Sequence, residues 1–190
     1  MIQGLYKIFD HWHQNGDVWI CSDPHFNDSE LDHIVPNRPT AEEQIKLINS
    51  KVGRKSTLII LGDIGDPECV RQLRGYKILI AGNHDAGLSN YSDIFDEIYG
   101  GPLMIGEKLI LSHEPVDVPW AFCLHGHDHS GWDSKPGYRL NVCLDRNNYL
   151  PINFNQLMKN GLTSKVESIH RTTINTATKR SRKKKNLTNK

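Results

Sequence analysis

Leu58-Ile59-Ile60-Leu61-Gly62-Asp63 is an apolar run of four residues that stops at a glycine and an acid. A run this short, bounded by turn-forming residues, reads as a buried strand, because a helix usually needs about 10 residues or more. The same grammar recurs on either side. Upstream, Val18-Trp19-Ile20-Cys21 stops at Ser22-Asp23-Pro24-His25, and downstream Ile78-Leu79-Ile80-Ala81 stops at Gly82-Asn83-His84-Asp85. Residues 103–111 read as a hairpin turning at Gly106-Glu107, with its second strand running into Ser112-His113. Ala121-Phe122-Cys123-Leu124 then leads into His125-Gly126-His127-Asp128-His129. Five strands thus end in residues that can hold a cation: Asp23 and His25, Asp63, Asn83, His113, and His127 with His129.

Helices fill the early gaps. Thr40 with Glu43 three residues on is the capping-box pattern and opens a helix that ends near Gly53. A short helix is expected from Pro67 to Arg74, another around Asn155 to Lys159, and an amphipathic one over residues 2–14. Residues 27–39 read as a loop, and Tyr138 to Leu144 and Tyr149 to Ile152 as the last strands. Strands alternate with helices early and hairpins dominate later, which predicts an α/β fold with mixed sheets. One domain spans 1–161, with 1–16 as an N-terminal helical extension. Residues 162–190, rich in Ser, Thr, Asn and Lys, are expected to be a disordered tail.

Charge divides the chain. Residues 161–190 carry nine Lys/Arg and one acid; against the net +1 of the whole chain, the remainder carries −7. An acidic body suits a cation site. The basic run Lys179-Arg180-Ser181-Arg182-Lys183-Lys184-Lys185 reads either as a solvated tail or as a nucleic-acid contact through phosphate neutralisation. Its lack of interleaved aromatics predicts affinity without base readout. The apolar runs are too short to span a bilayer, and the N-terminus lacks the apolar core of a signal peptide. Four cysteines without a CxxC pair read as reduced thiols. A cytoplasmic protein without membrane contact is therefore expected, and the oligomeric state is left open.

Strand ends in α/β folds converge on one rim, where ligands bind. In Asp23-x-His25 and His127-x-His129 the side chains stand two residues apart, a spacing that lets both address one cation or two adjacent ones. Gly62, Gly82 and Gly126 each adjoin a candidate ligand, where a side chain would block close approach. Imidazole, carboxylate and an Asn carbonyl without thiolate favour Mn, Fe or Zn over Ca or a cysteine zinc site.

Asp23-Pro24-His25, Gly62-Asp63-Ile64-Gly65-Asp66, Gly82-Asn83-His84-Asp85, Ser112-His113-Glu114 and Gly126-His127-Asp128-His129 follow one another in an order that resembles the calcineurin-like metallophosphoesterase superfamily. The Asn37-Arg38-Pro39 loop, Asn141-Val142 and Asp145 resemble its small single-domain bacterial and phage branch, although Asn27-Asp28 stands where such members often have Gly-His. The resemblance implies a four-layer α/β/β/α sandwich with two mixed sheets. It implies one divalent metal on Asp23, His25, Asp63 and His129, and a second on Asp63, Asn83, His113 and His127, with Asp63 bridging. Mn is the expected metal, with Fe, Zn, Ni and Mg as alternatives.

The implied reaction is hydrolysis of a phosphodiester or phosphomonoester, nucleotides among the candidate substrates, by a hydroxide held between the metals. His84 is expected to act as general acid, Asp85 to orient its ring, and Arg38 to reach the substrate phosphate. The alternatives are a nuclease acting on DNA or RNA and a non-catalytic scaffold of the same fold. The complete ligand set weighs against the scaffold.

Overall fold

The computed structural model describes residues 17–85, 87–106, 108–130 and 138–166. The helix expected at 2–14 and the basic run at 179–185 lie outside them. Strands β1 (Val18–Cys21), β2 (Thr57–Ile60), β3 (Tyr76–Ile80) and β4 (Glu97–Tyr99) pair in parallel. Together with β9 (Ile152–Asn153), antiparallel to β1, they form a five-stranded sheet in the order β4-β3-β2-β1-β9. The second sheet has the order β5-β6-β7-β8, with β5 at Leu103–Ile105, β6 at Leu109–Leu111, β7 at Phe122–His125 and β8 at Arg139–Asn141. Among the described residues only the expected β5–β6 pair is a hairpin; β6, β7 and β8 pair in parallel. The expectation that hairpins dominate the later half is therefore corrected. Residues 112–121 and 126–138 are long enough to carry the chain back to the start of a parallel neighbour, where a tight turn would have reversed it.

Both faces of the first sheet are covered, which is why its strands read as unbroken apolar runs. On one face Ile20, Ile59, Leu61, Ile78 and Ile80 pack against Leu109, Leu111, Phe122 and Leu124 of the second sheet. On the other, Cys21, Leu58, Ile60 and Leu79 lie beneath Ile45, Ile48 and Val52. Ile45 and Ile48 belong to the helix Ala41–Lys51, which Thr40 and Glu43 cap reciprocally as expected. The outer face of the second sheet, Ile110, Ala121 and Cys123, is covered by Val116, Val118 and Trp120. Among the described residues its outer layer is thus loop. A one-turn helix, Leu31–Ile34, interrupts the expected 27–39 loop, and Leu144, expected to end a strand, instead opens a 3-10 turn over Leu144–Asn147. The chain keeps packing past residue 161: Leu162 lies against the inter-sheet core and Val166 is buried in it. No helix among the described residues is long and apolar enough to cross a membrane.

The sheets are stitched at one rim. Ser22 and Cys143 form a parallel bridge, in which Ser22 N donates to Val142 O and Leu144 N to Ser22 O. Val142 N in turn donates to His125 O. The ends of β1, β7 and β8 are thereby locked together, and the residues following β1, β2, β3, β6 and β7 meet there.

Candidate metal centre

Two groups of side chains converge on this rim. Asp23, His25 and His129 form one, Asp63, His113 and His127 the other, each with its ligand atoms within 4.8 Å of one another. Asn83 joins the second: its Oδ1 lies 2.7 Å from His113 Nε2 and 3.0 Å from His127 Nδ1. Asp63 stands between them, with Oδ2 at 3.5 Å from His25 Nε2 and 3.3 Å from His113 Nε2. Its other oxygen accepts the His84 backbone N–H. All seven residues expected to ligate thus stand together at this rim.

The atoms that face inward are set by what holds the atoms behind them. His25 Nδ1 lies 2.8 Å from Asp28 Oδ2, His129 Nδ1 2.9 Å from Asp145 Oδ2, and His113 Nδ1 2.8 Å from Leu61 O. An imidazole that donates Nδ1–H keeps its lone pair on Nε2, the nitrogen directed into the cluster in each case. Asp23 Oδ2 accepts from His127 N and from the Cys143 thiol. Its Oδ1 is left without a hydrogen bond, 3.6 Å from His129 Nε2 and 3.9 Å from His25 Nε2. His25 Nε2 also has no hydrogen-bond partner. Buried polar atoms are rarely left so; two of them facing each other across a cluster of acids and imidazoles fit a divalent cation. The close approach needs glycine. A Cβ on Gly126 would strike Ser22 Oγ and Asp23 Oδ2, and one on Gly82 would strike Asp63 Oδ1.

Electrostatics agree. Burial alone would lower the His113 pKa, but the hydrogen bond to Asp63 and the charges of Asp23 and Asp63 lift it to about 9. His129 is raised against the same burial penalty by its bond to Asp145 and the charge of Asp23. Burial works to raise the Asp63 pKa, yet the His113 and His84 hydrogen bonds hold it below the usual carboxylate range. The cluster thus attracts positive charge, and protons answer that demand where cations do not.

Two expected roles change. Arg38 is not free to grip a phosphate: its side chain is 5% exposed. Its guanidinium donates to Asp28 O, Pro24 O, His25 O and the Asp32 carboxylate. It clamps the loop that carries His25. Asp85 does not orient His84: its oxygens accept from Gly82 N, Asp63 N, Ile64 N and the Tyr91 hydroxyl. It ties the turn after β3 to the turn after β2. His84 itself is exposed, with its ring centroid 5.9 Å from that of His25.

Two neighbouring acids are engaged locally. Asp66 caps the 3-10 turn Pro67–Gln72 and accepts from Asn27. Asp128 accepts from Ser130. Asp28, Cys143 and the Leu61 carbonyl escape a reading by strand-end position, since each acts on a ligand from behind. Cys143, Asp145 and His129 form a third metal-capable group. There, burial and the Asp23 charge push the Cys143 pKa far up, so the thiol is a donor to Asp23.

Comparison with known proteins accords with this geometry. A protein of unknown function from Aquifex aeolicus has a similar fold, with TM-score 0.62 and 24% identity over 76% of this chain and 99% of its own. No curated protein matches. The family model described as calcineurin-like phosphoesterase matches residues 16–186. A match of that extent, spanning the whole two-sheet rim, shows that the chain belongs to the calcineurin-like phosphoesterase family.

Proposed function

We propose that the chain hydrolyses phosphate esters with two divalent cations, one held by Asp23, His25, His129 and Asp63, the other by Asp63, Asn83, His113 and His127. The observation that carries this reading is the position of Asp63 Oδ2, within 3.5 Å of a ligand nitrogen from each group. One carboxylate so placed suits a two-metal site. The mixed set of imidazole and oxygen donors suits manganese, iron or zinc, and manganese is the first of these to test. When bound, such ions neutralise phosphate charge and make a water acidic enough to attack phosphorus near neutral pH.

The chain's own part is positioning and proton transfer. Asp28, Asp145 and Leu61 O hold three imidazoles in the tautomer that presents Nε2. Asp85 holds the Asp63 and Asn83 turns in register. His84 is exposed beside His25 and anchored through its N–H to Asp63, and its imidazole joins no metal-capable group among the described residues. It protonates the departing oxygen of the ester.

The test is hydrolysis of bis-p-nitrophenyl phosphate and p-nitrophenyl phosphate after chelation and reloading with Mn, Ni, Zn, Mg or Fe. Loss on chelation with recovery on Mn is expected. Turnover indifferent to chelator, or none with any metal, contradicts the reading. The run Lys179–Lys185 also favours a polynucleotide as substrate; Mn-dependent DNA cleavage lost on deleting residues 178–190 would support that.

A further inference from the structure

Three residues of the loop after β1, Asp23, His25 and Asn27, have left-handed backbone. Non-glycine residues avoid that region, so the loop needs ties that outweigh the preference. One set comes from the end of β2: Asp23 N donates to Gly62 O, His25 N to Asp63 O and Phe26 N to Ile64 O. The other comes from Arg38. Its Nη2 lies 2.9 Å from both Pro24 O and His25 O, and its Nη1 lies 3.1 Å from Asp28 O. Asp28 Oδ2 in turn stands 2.8 Å from His25 Nδ1. The same guanidinium therefore grips the backbone at both ends of the His25–Asp28 pair. We infer that Arg38 is the positioning residue of the site formed by Asp23, His25, His129 and Asp63. By fixing the backbone of His25 and Asp28 it aims His25 Nε2 before a cation arrives, and the site of Asp63, Asn83, His113 and His127 stands without it. The inference rests on the two-metal phosphoesterase reading and says what sets its two sites apart.

Burial and chemistry fit this role. The Arg38 side chain is 5% exposed, whereas that of its carboxylate partner Asp32 is 63% exposed. An ion pair open to water on one side contributes little, so the three carbonyls carry the interaction. A planar guanidinium donates to several acceptors from fixed directions, which a single flexible ammonium does not. A positive charge also gives no electrostatic help to a cation site, so what Arg38 brings there is geometry. Its bonds fall within residues 24–32. Asn83, His113 and His127 instead follow β3, β6 and β7, and the Asp63 amide is held by Asp85.

The experiment titrates Mn into chelated full-length protein, with calorimetry for affinity and EPR for coupling between ions. It compares wild type with Arg38→Met, which keeps the buried stem, and Arg38→Lys, which keeps the charge and guards against misfolding of the first. Both variants should bind one ion as the wild type does and the other about 10–100-fold more weakly. At Mn levels that give a coupled pair in the wild type they should show an uncoupled ion. Two ions at wild-type affinity in the variants overturn the inference and leave the two-metal reading standing. Equal weakening of both ions also overturns it, since that is the mark of a general loss of stability. A second measurement needs no metal. In chelated Arg38→Met the amides of His25, Phe26 and Asp28 should exchange with solvent about tenfold faster or more, with those of Gly82 and Val142 unchanged. If the wild type binds fewer than two ions, the two-metal reading fails and this exchange pattern alone decides the role of Arg38; unchanged or uniformly faster exchange overturns it.

Discussion

Asp23, His25, Asn27, Asp63 and His127 all have left-handed backbone, with φ of 57°, 41°, 56°, 54° and 68°. Each such non-glycine residue costs about 1–2 kcal/mol, and the strain persists only where the surroundings over-determine it. Asp85 is one of those surroundings, since it fixes the amides of Asp63 and Ile64. Asp85→Ala is expected to lower unfolding free energy by roughly 2–4 kcal/mol through several lost charge-assisted bonds, read by urea titration; a loss below about 0.5 kcal/mol would show the bonds to be idle. His84→Ala should keep its metal content and lose about 10²–10⁴ in rate on esters with poor leaving groups. Equal losses on p-nitrophenyl and alkyl esters would exclude the acid role. The candidate ligands are legible in sequence because a residue at a strand end sits beside turn residues that mark it. Arg38 and Asp85 are not legible in that way: a clamped arginine and a solvated one look alike in sequence, and a carboxylate bound to four donors looks like one that orients a histidine.

The helix Ala41–Lys51 announces itself through its cap, and Thr40→Ala should cost about 1 kcal/mol, measured by thermal or chemical denaturation; no change would mean that the reciprocal bonds to Glu43 are replaced by water. The strands that build the rim are equally legible, because burial on both faces writes them as aliphatic runs. Glu97-Ile98-Tyr99 escapes because three residues with a charge among them show no period, and their strand character comes from pairing with β3. The direction of β7 and β8 escapes for another reason. A short apolar run carries no mark of parallel or antiparallel pairing, which is set by the length and course of the connections between strands.

The two sheets together gather acids that lie far apart in the chain, and the protein's pH response follows from that. In metal-free protein His113 titrates at about 9, above its unfolded value of about 6.5. The folded state therefore binds more protons in that interval. The stabilisation is complete below about pH 6.5 and is lost as pH rises through about 9. The melting temperature of chelated protein should fall between pH 6.5 and 9.5, and saturating Mn should flatten the fall, because a ligating imidazole must already be neutral. A chelated protein that gains stability over that interval would contradict the charge distribution described. The sharing of Asp63 by two cations is decided by metal content. Wild-type protein reloaded with Mn should hold two equivalents per chain and give the EPR spectrum of an exchange-coupled pair, and Asp63→Ala should hold one or none without coupling. Two full equivalents in Asp63→Ala, or a single uncoupled ion in the wild type, would contradict the account.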